Sequence, residues 1–241
     1  MTALQLAALI RERQPCVVLT GAGVSTESGI PDFRSADGIW ASHDPMEVAS
    51  LSGFRRNPER VWEFYARRLA LHGDAEPNDG HRALARLEEL GLVEAVVTQN
   101  VDGLHQRAGS RNVIEVHGSI RAAVCLACGA STELERVREL LPLPICDCGE
   151  ILKPGVVLFG ELLPAGTFEH ATELARRARL LLVVGSSLEV YPVAALPSDT
   201  LATGGELAIV NRGATSFDAE ATVRVDGRAG EILRDVVRAL S

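Results

Sequence analysis

Short apolar runs alternate along this chain with longer stretches that are apolar on one side only. The runs at 16–20, 95–98, 113–116, 156–159, 180–184 and 207–210 hold mostly Val, Leu, Ile and Ala, the pattern of strands buried on both faces. Between them, residues 80–90 carry Leu84, Leu87 and Leu90 at helical spacing and stop at Gly91, a good helix terminator. Segments 167–179 and 228–240 look similar, and residues 1–13 read as a short amphipathic helix. Strand–helix alternation of this kind predicts an α/β fold: a Rossmann-like parallel sheet with helices on both faces.

Two stretches break the rhythm. Residues 41–75 read as helical without alternating strands, with Pro58 near a helix start and Val61-Trp62-Glu63-Phe64-Tyr65 inside. Residues 119–152 hold four cysteines with little apolar periodicity. The expected organisation is a discontinuous Rossmann-like domain (1–40, 76–118 and 153–241), a helical module (41–75) and a small inserted zinc-binding module (119–152).

Composition narrows the function classes. With 241 residues, 46% hydrophobic and 23% charged, the chain is of ordinary globular make-up. Its longest apolar runs are too short to span a bilayer. Acids outnumber bases 32 to 24 for a net charge of −8, so neither nucleic acid nor a membrane is an expected partner. Segment 1–13 lacks a basic start and a small-residue cleavage site, and five cysteines are too few and too clustered for a disulfide framework. A cytoplasmic monomer is expected. Lys153 is the only lysine, which reads as a bias of base composition.

The first strand ends in Thr20-Gly21-Ala22-Gly23, where a doubly wound sheet holds phosphates against a helix start. A dinucleotide fingerprint would need glycine at 26, and Thr26 is there. The run 24–34 is more polar and stiffer than a plain turn requires. Cys125 and Cys128, then Cys146 and Cys148, form C-x2-C and C-x-C pairs, each followed by a glycine, Gly129 and Gly149. Four thiolates at two tight turns suit a closed tetrahedral zinc that does not activate water. Thr98-Gln99-Asn100-Val101-Asp102-Gly103-Leu104-His105 follows a strand, with Asn100 and Asp102 alternating toward one side. His117 ends the next strand, and its ordinary pKa suits proton transfer near neutrality. Gly185-Ser186-Ser187 and Asn211 complete a row of small polar groups along one sheet edge.

The motifs GAGVSTESGIPDFR (21–34), SADGIW (35–40), TQNVDGLH (98–105), HG (117–118), the four cysteines, KPGVVLFGE (153–161), GSSLEVYP (185–192) and IVN (209–211) together resemble the sirtuin family of NAD-dependent protein lysine deacylases. Departures are Ser186, where many members have threonine, and the shortened second cysteine pair. The resemblance implies that Ala22, Gly23 and Ser25 cradle phosphate and ribose, that Phe33 shields the ribosyl face, and that Asn100, Asp102 and the backbone near Ile30 hold the nicotinamide carboxamide. Gln99 would contact ribose, Gly185, Ser186 and Ser187 the adenosine-side phosphate and ribose, and Asn211 with Ala229 the adenosine end. Gly21, Asp32, Arg34 and Val101 complete the implied NAD-binding set.

The resemblance further implies that His117 is the general base. It would act once an imidate has joined the acyl group to ADP-ribose, and the products would be nicotinamide, free lysine and O-acyl-ADP-ribose. Acyl-lysine proteins would be the partners, their backbone added as a strand between 157–161 and 187–191, with Phe159 and Val190 lining the lysine tunnel and Val157 and Glu189 also binding substrate. Tyr65 and Arg68, three apart on one helix face, resemble the Tyr-x-x-Arg pair that clamps the distal carboxylate of succinyl- or malonyl-lysine in one class of the family. A plain deacetylase or a mono-ADP-ribosyltransferase is the closest alternative. Thr26 disfavours a dehydrogenase, and the constellation around His117 disfavours a zinc-knuckle binding module.

Overall fold

The computed structural model describes residues 2–240, so Met1 and Ser241, at the ends of the segments read above, lie outside the described residues. Its strands are β1 (Cys16–Thr20), β2 (Ala95–Thr98), β3 (Val113–Glu115), β4 (Gly118–Cys125), β5 (Ser131–Glu133), β6 (Leu152–Val156), β7 (Leu180–Val184), β8 (Glu206–Asn211) and β9 (Val223–Asp226). Its helices are α1 (Ala3–Glu12), α2 (Pro45–Val48), α3 (Leu51–Arg56), α4 (Pro58–Asp74), α5 (Asp79–Glu89), α6 (Leu104–Arg107), α7 (Leu134–Glu139), α8 (Thr167–Arg177), α9 (Leu196–Ala202) and α10 (Ala229–Leu240). None of them is long and apolar enough to cross a membrane.

Six strands form a parallel sheet in the order β3-β2-β1-β7-β8-β9. Side chains alternate between its faces with the period of two that a strand imposes. Cys16, Val18, Leu180, Leu182, Val184, Ala208 and Val210 enter one core, packed under α1, α5 and α10. Val17, Leu19, Leu181, Val183, Leu207 and Ile209 enter the other, under α8 and α9. Both faces are covered, which is why these strands read as continuous apolar runs.

From β1 the chain winds outward through β2 and β3, then returns to β7 on the other side and winds through β8 and β9. The reversal leaves a crevice at the carboxyl ends of β1 and β7, the position where open α/β sheets bind ligands. At that point Gly23 N–H donates to Gly185 O at 2.8 Å. A Cβ on Gly23 would sit 2.8 Å from Gly185 Cα, and Gly185 itself has φ +61°. The glycines are therefore required by the contact between the two loops, as well as by any ligand above them.

The strand expected at 156–159 in the central sheet is not there. β6 ends at Val156 and pairs antiparallel with β4, and the backbone of Phe159 bonds instead to Ala49 and Leu51. The small antiparallel sheet, β5-β4-β6, therefore runs from Gly118 to Val156, wider than 119–152. β4 is too rich in small and polar residues to stand out as an apolar run, and β9 is a short edge strand with Val223 and Val225 inward and Asp226 exposed.

Pro45 and Pro58 open α2 and α4, and Asp44, Ser50 and Asn57 cap α2, α3 and α4 with side-chain oxygens. α4 turns Val61, Trp62, Phe64, Tyr65 and Leu69 into a third core that also contains Ile120, Ala123, Cys125, Val137, Cys146 and Leu152. Trp62 Nε1 donates to Leu152 O at 2.7 Å across this core. The helical segment and the cysteine-bearing sheet are thus one packed unit beside the parallel sheet.

Candidate active site

Between that unit and the sheet lie two connected cavities. The outer one, about 630 Å³, is lined by Gly21, Gly23, Asp32, Gly185, Ser186, Ser187, Glu189, Asn211 and Ala229 among others. The inner one, about 220 Å³, is lined by Ser25, Ile30, Tyr65, Arg68, Val101, Asp102, Val157 and Phe159 among others. Ala22, Phe33, Arg34, Gln99, Asn100, His117 and Val190 border both. Every NAD-binding, catalytic and substrate-binding residue expected from the sequence thus faces one of these cavities, and the four cysteines lie elsewhere, in the small sheet.

The groups at the junction are held by one another. Ser25 Oγ donates to Asp102 Oδ2 at 2.8 Å. Asn100 Nδ2 donates to Gly21 O and Ser25 Oγ, each at 3.1 Å. Gln99 Nε2 donates to Ser186 Oγ at 2.9 Å, joining the ends of β2 and β7. His117 Nδ1 lies 3.1 Å from Gln99 O. A carbonyl can only accept, so Nδ1 carries the proton and Nε2 keeps its lone pair. Burial pushes the imidazole pKa below its ordinary 6.5, the Gln99 carbonyl opposing in part. The ring is neutral at physiological pH and able to take a proton.

The loop after β1 is pinned by Ile39 N–H to Asp32 O at 2.9 Å and Trp40 N–H to Phe33 O at 3.0 Å. It carries Phe33 against Trp40 at 5.1 Å between centroids, and Trp40 stacks on Phe64 at 6.3 Å. At the mouth Arg34 pairs with Glu189 at 2.9 Å, linking the two loops; both are exposed and the pair adds little stability. Trp40, His72 and Glu161 also line the inner cavity, and the sequence reading assigns them no role. His72 had a legible signal, since it lies seven residues after Tyr65 and four after Arg68 on one helix face.

Segment 157–161 is fixed from behind by the chain's single lysine. Lys153 Nζ, 5% exposed at its side chain, donates to Pro154 O at 2.9 Å, Val156 O at 2.7 Å and Glu161 Oε2 at 3.0 Å. Glu161 Oε2 also accepts from Leu158 N–H at 2.8 Å. Replacing Lys153 by methionine leaves that carboxylate, 16% exposed at its side chain, with the Leu158 N–H but no cation, so K153M should lose about 1–3 kcal/mol in chemical denaturation. Changing Glu161 to leucine as well should recover part of the loss, and a K153M protein of wild-type stability would show that the pair is immaterial.

The cysteines meet in one cluster. All four Sγ atoms lie within 4.8 Å of one another, with Cys125–Cys148 at 3.5 Å and Cys128–Cys146 at 3.6 Å. Tetrahedral Zn–S bonds of about 2.3 Å require sulfurs about 3.8 Å apart, so the donor set and its spacing fit a structural zinc. Gly129 and Gly149, at φ +75° and +92°, make the turns that close each pair.

The switch-point crevice, its glycine loop and a neutral histidine between two cavities define a nucleotide-dependent α/β enzyme. The sequence profile of the Sir2 family matches residues 21–192. The chain is 45% identical over 230 residues to NAD-dependent protein deacylase 1 of Archaeoglobus fulgidus, covering 95% of this chain and 94% of that protein. It superposes on an ADP-ribose complex of a Sir2 homologue with a TM-score of 0.95 at 44% identity, over 98% of this chain and 95% of the other. A Sir2 complex with a deacetylated p53 peptide and 3′-O-acetyl ADP-ribose gives a TM-score of 0.95 at 41% identity, over the whole of both chains. The chain belongs to the Sir2 family, whose enzymes are NAD-dependent protein deacylases and deacetylases.

Proposed function

We propose that this NAD-dependent protein lysine deacylase favours acyl groups that end in a carboxylate, succinyl and malonyl, over acetyl. The observation that carries the reading is Arg68. It is only 8% exposed and lines the inner cavity. Its contacts are His72 at 3.3 Å and the rings of Phe33 and Phe64 at 5.2 and 5.6 Å, and no carboxylate among the described residues pairs with it. Buried cations are otherwise paired. Tyr65 supports the reading: it is buried one turn away, and burial first, with Glu161 adding and Arg68 opposing, pushes its pKa up to about 12. The phenol keeps its proton and can donate it to an anion alongside the guanidinium fork.

NAD would be held by the outer cavity and the junction. Gly21, Ala22, Gly23 and Gly185 leave the backbone open to phosphates, with Ser25, Ser186 and Ser187 offering hydroxyls and Asn211 and Ala229 bordering the adenosine end. Asn100, Asp102 and the Ile30–Val101 wall would orient the carboxamide, Gln99 the ribose, and Phe33 would cover it, with Asp32 and Arg34 closing the rim. NAD supplies an electrophilic ribosyl carbon with a neutral leaving group. His117 Nε2 would then accept a proton from the ribose hydroxyls, its orientation fixed by Gln99 O. Val157, Phe159, Glu189 and Val190 would align the acyl-lysine, and positioning and exclusion of water would supply most of the remaining rate.

A charged hydrogen bond in such a site is worth about 1.5–3 kcal/mol. Arg68→Met should therefore cut kcat/KM for a succinyl-lysine peptide by about ten-fold or more and reduce acetyl turnover much less, with Tyr65→Phe milder in the same direction. Equal losses on both peptides would leave a plain deacetylase as the reading. Dependence of nicotinamide release on the acyl peptide separates either from ADP-ribosyl transfer.

A further inference from the structure

Tyr65, Arg68 and His72 stand at i, i+3 and i+7 of α4, so they share one face of the helix. All three are buried and all three line the inner cavity. His72 is the one with no part in the reading above. Its Nε2 lies 3.3 Å from Arg68 Nη2. A guanidinium has donors only, so Nε2 accepts, and the proton of the neutral ring sits on Nδ1. That Nδ1–H is buried and has no hydrogen-bond partner, although His72 as a whole is only 7% exposed. That N–H points to the other side of the ring from Arg68, so the contact with the guanidinium is the polar tie His72 makes among the described residues.

We propose that His72 is a positioning residue for acyl choice: through Nε2 it accepts from Arg68 and holds the guanidinium toward the distal carboxylate of the acyl group. The assignment rests on the acidic-acyl reading above. A carboxylate has two oxygens and about four lone-pair directions, enough for the Arg68 fork and the Tyr65 hydroxyl. An acetyl methyl offers neither an acceptor. Burial, with Arg68 adding and Asp102 opposing, pushes the His72 pKa down to about 4. The ring is therefore neutral at working pH and accepts from Arg68 without repelling it.

The test is steady-state kinetics of the full-length enzyme at saturating NAD, on succinyl- and acetyl-lysine peptides of one sequence. His72→Phe and His72→Leu remove the acceptor for Arg68 with different shapes, and His72→Gln keeps it. Phe and Leu should raise the succinyl KM by about ten-fold with little change in kcat, and move the acetyl KM far less. Gln should recover most of the succinyl affinity. Equal KM changes on the two peptides, or a Gln variant as impaired as Leu, would show that His72 only fills the cavity wall and would overturn the proposal. Arg68→Met, run alongside, separates the two levels. If it does not discriminate between the peptides, the acidic-acyl reading fails; if it does and the His72 variants do not, the role of His72 alone fails. Should the Phe and Leu variants melt early, Gln decides: it must retain a succinyl preference close to wild type, and loss of that preference with normal melting would overturn the proposal.

Discussion

Replacing His117 by alanine is expected to cut deacylation by about 10²–10⁴, the range for losing one positioned base, with the fold and NAD affinity retained. The ring sits at the junction of the two cavities, and its Nδ1–H is committed to Gln99 O. Only Nε2 is available for chemistry. Alanine removes that lone pair and opens space, whereas His117→Asn keeps a polar group without a base and should be nearly as slow. The pH profile gives an independent check. Burial holds the folded pKa below the ordinary 6.5, so the neutral, proton-accepting form persists below that pH. The acid limb of kcat/KM should therefore fall below pH 6.5, activity disappearing as pH drops through the depressed pKa. Near-normal turnover of His117→Ala, with NAD binding confirmed by calorimetry, would remove the histidine from the mechanism.

Much of this arrangement is legible in the chain, for reasons particular to each element. β1, β7 and β8 are visible because both faces of the sheet are covered, so Cys16 to Leu19 or Leu180 to Val184 can be apolar without interruption. Residues 156–159 are just as apolar, yet Phe159 is held by the backbone of Ala49 and Leu51; an apolar run reports burial and leaves its pairing partner open. β4 is hidden for the opposite reason, its small and charged residues facing partly open surroundings. Gly21 to Gly23, Gln99 to Asp102, His117 and Gly185 to Ser187 stand out in the sequence because they sit on the loops after strands, whereas Tyr65 and Arg68 stand on α4. Lys153 shows the limit. As one letter among 24 basic residues it looks accidental; its burial against Glu161 and two carbonyls becomes visible only when β6 and the following loop are folded together. The glycines of the first loop carry a similar lesson, since the approach of Gly185 to Gly23 constrains them before any phosphate does.

Removing the metal should have effects well beyond the four thiolates. Structural zinc contributes about 10–16 kcal/mol of binding free energy in small zinc-finger peptides, and here Cys125 and Cys146 are themselves members of the core that holds α4. Purified protein should contain one zinc per chain. Cys146→Ser, or a strong chelator, should loosen β4 to β6, and the loss should pass through Ile120, Ala123 and Leu152 to Trp62 and Phe64, because these side chains have no other core to enter. Tyr65 and Arg68 would then lose their fixed helix, and deacylation should collapse although no cysteine lines either cavity. The parallel sheet has its own two cores and should persist. Hydrogen exchange gives the discriminating picture: protection lost in 118–156 and 58–74, retained in β1, β7 and β8. Protein free of zinc that kept protection in α4 and normal turnover would show that the cysteine cluster is dispensable, and that the third core stands without it.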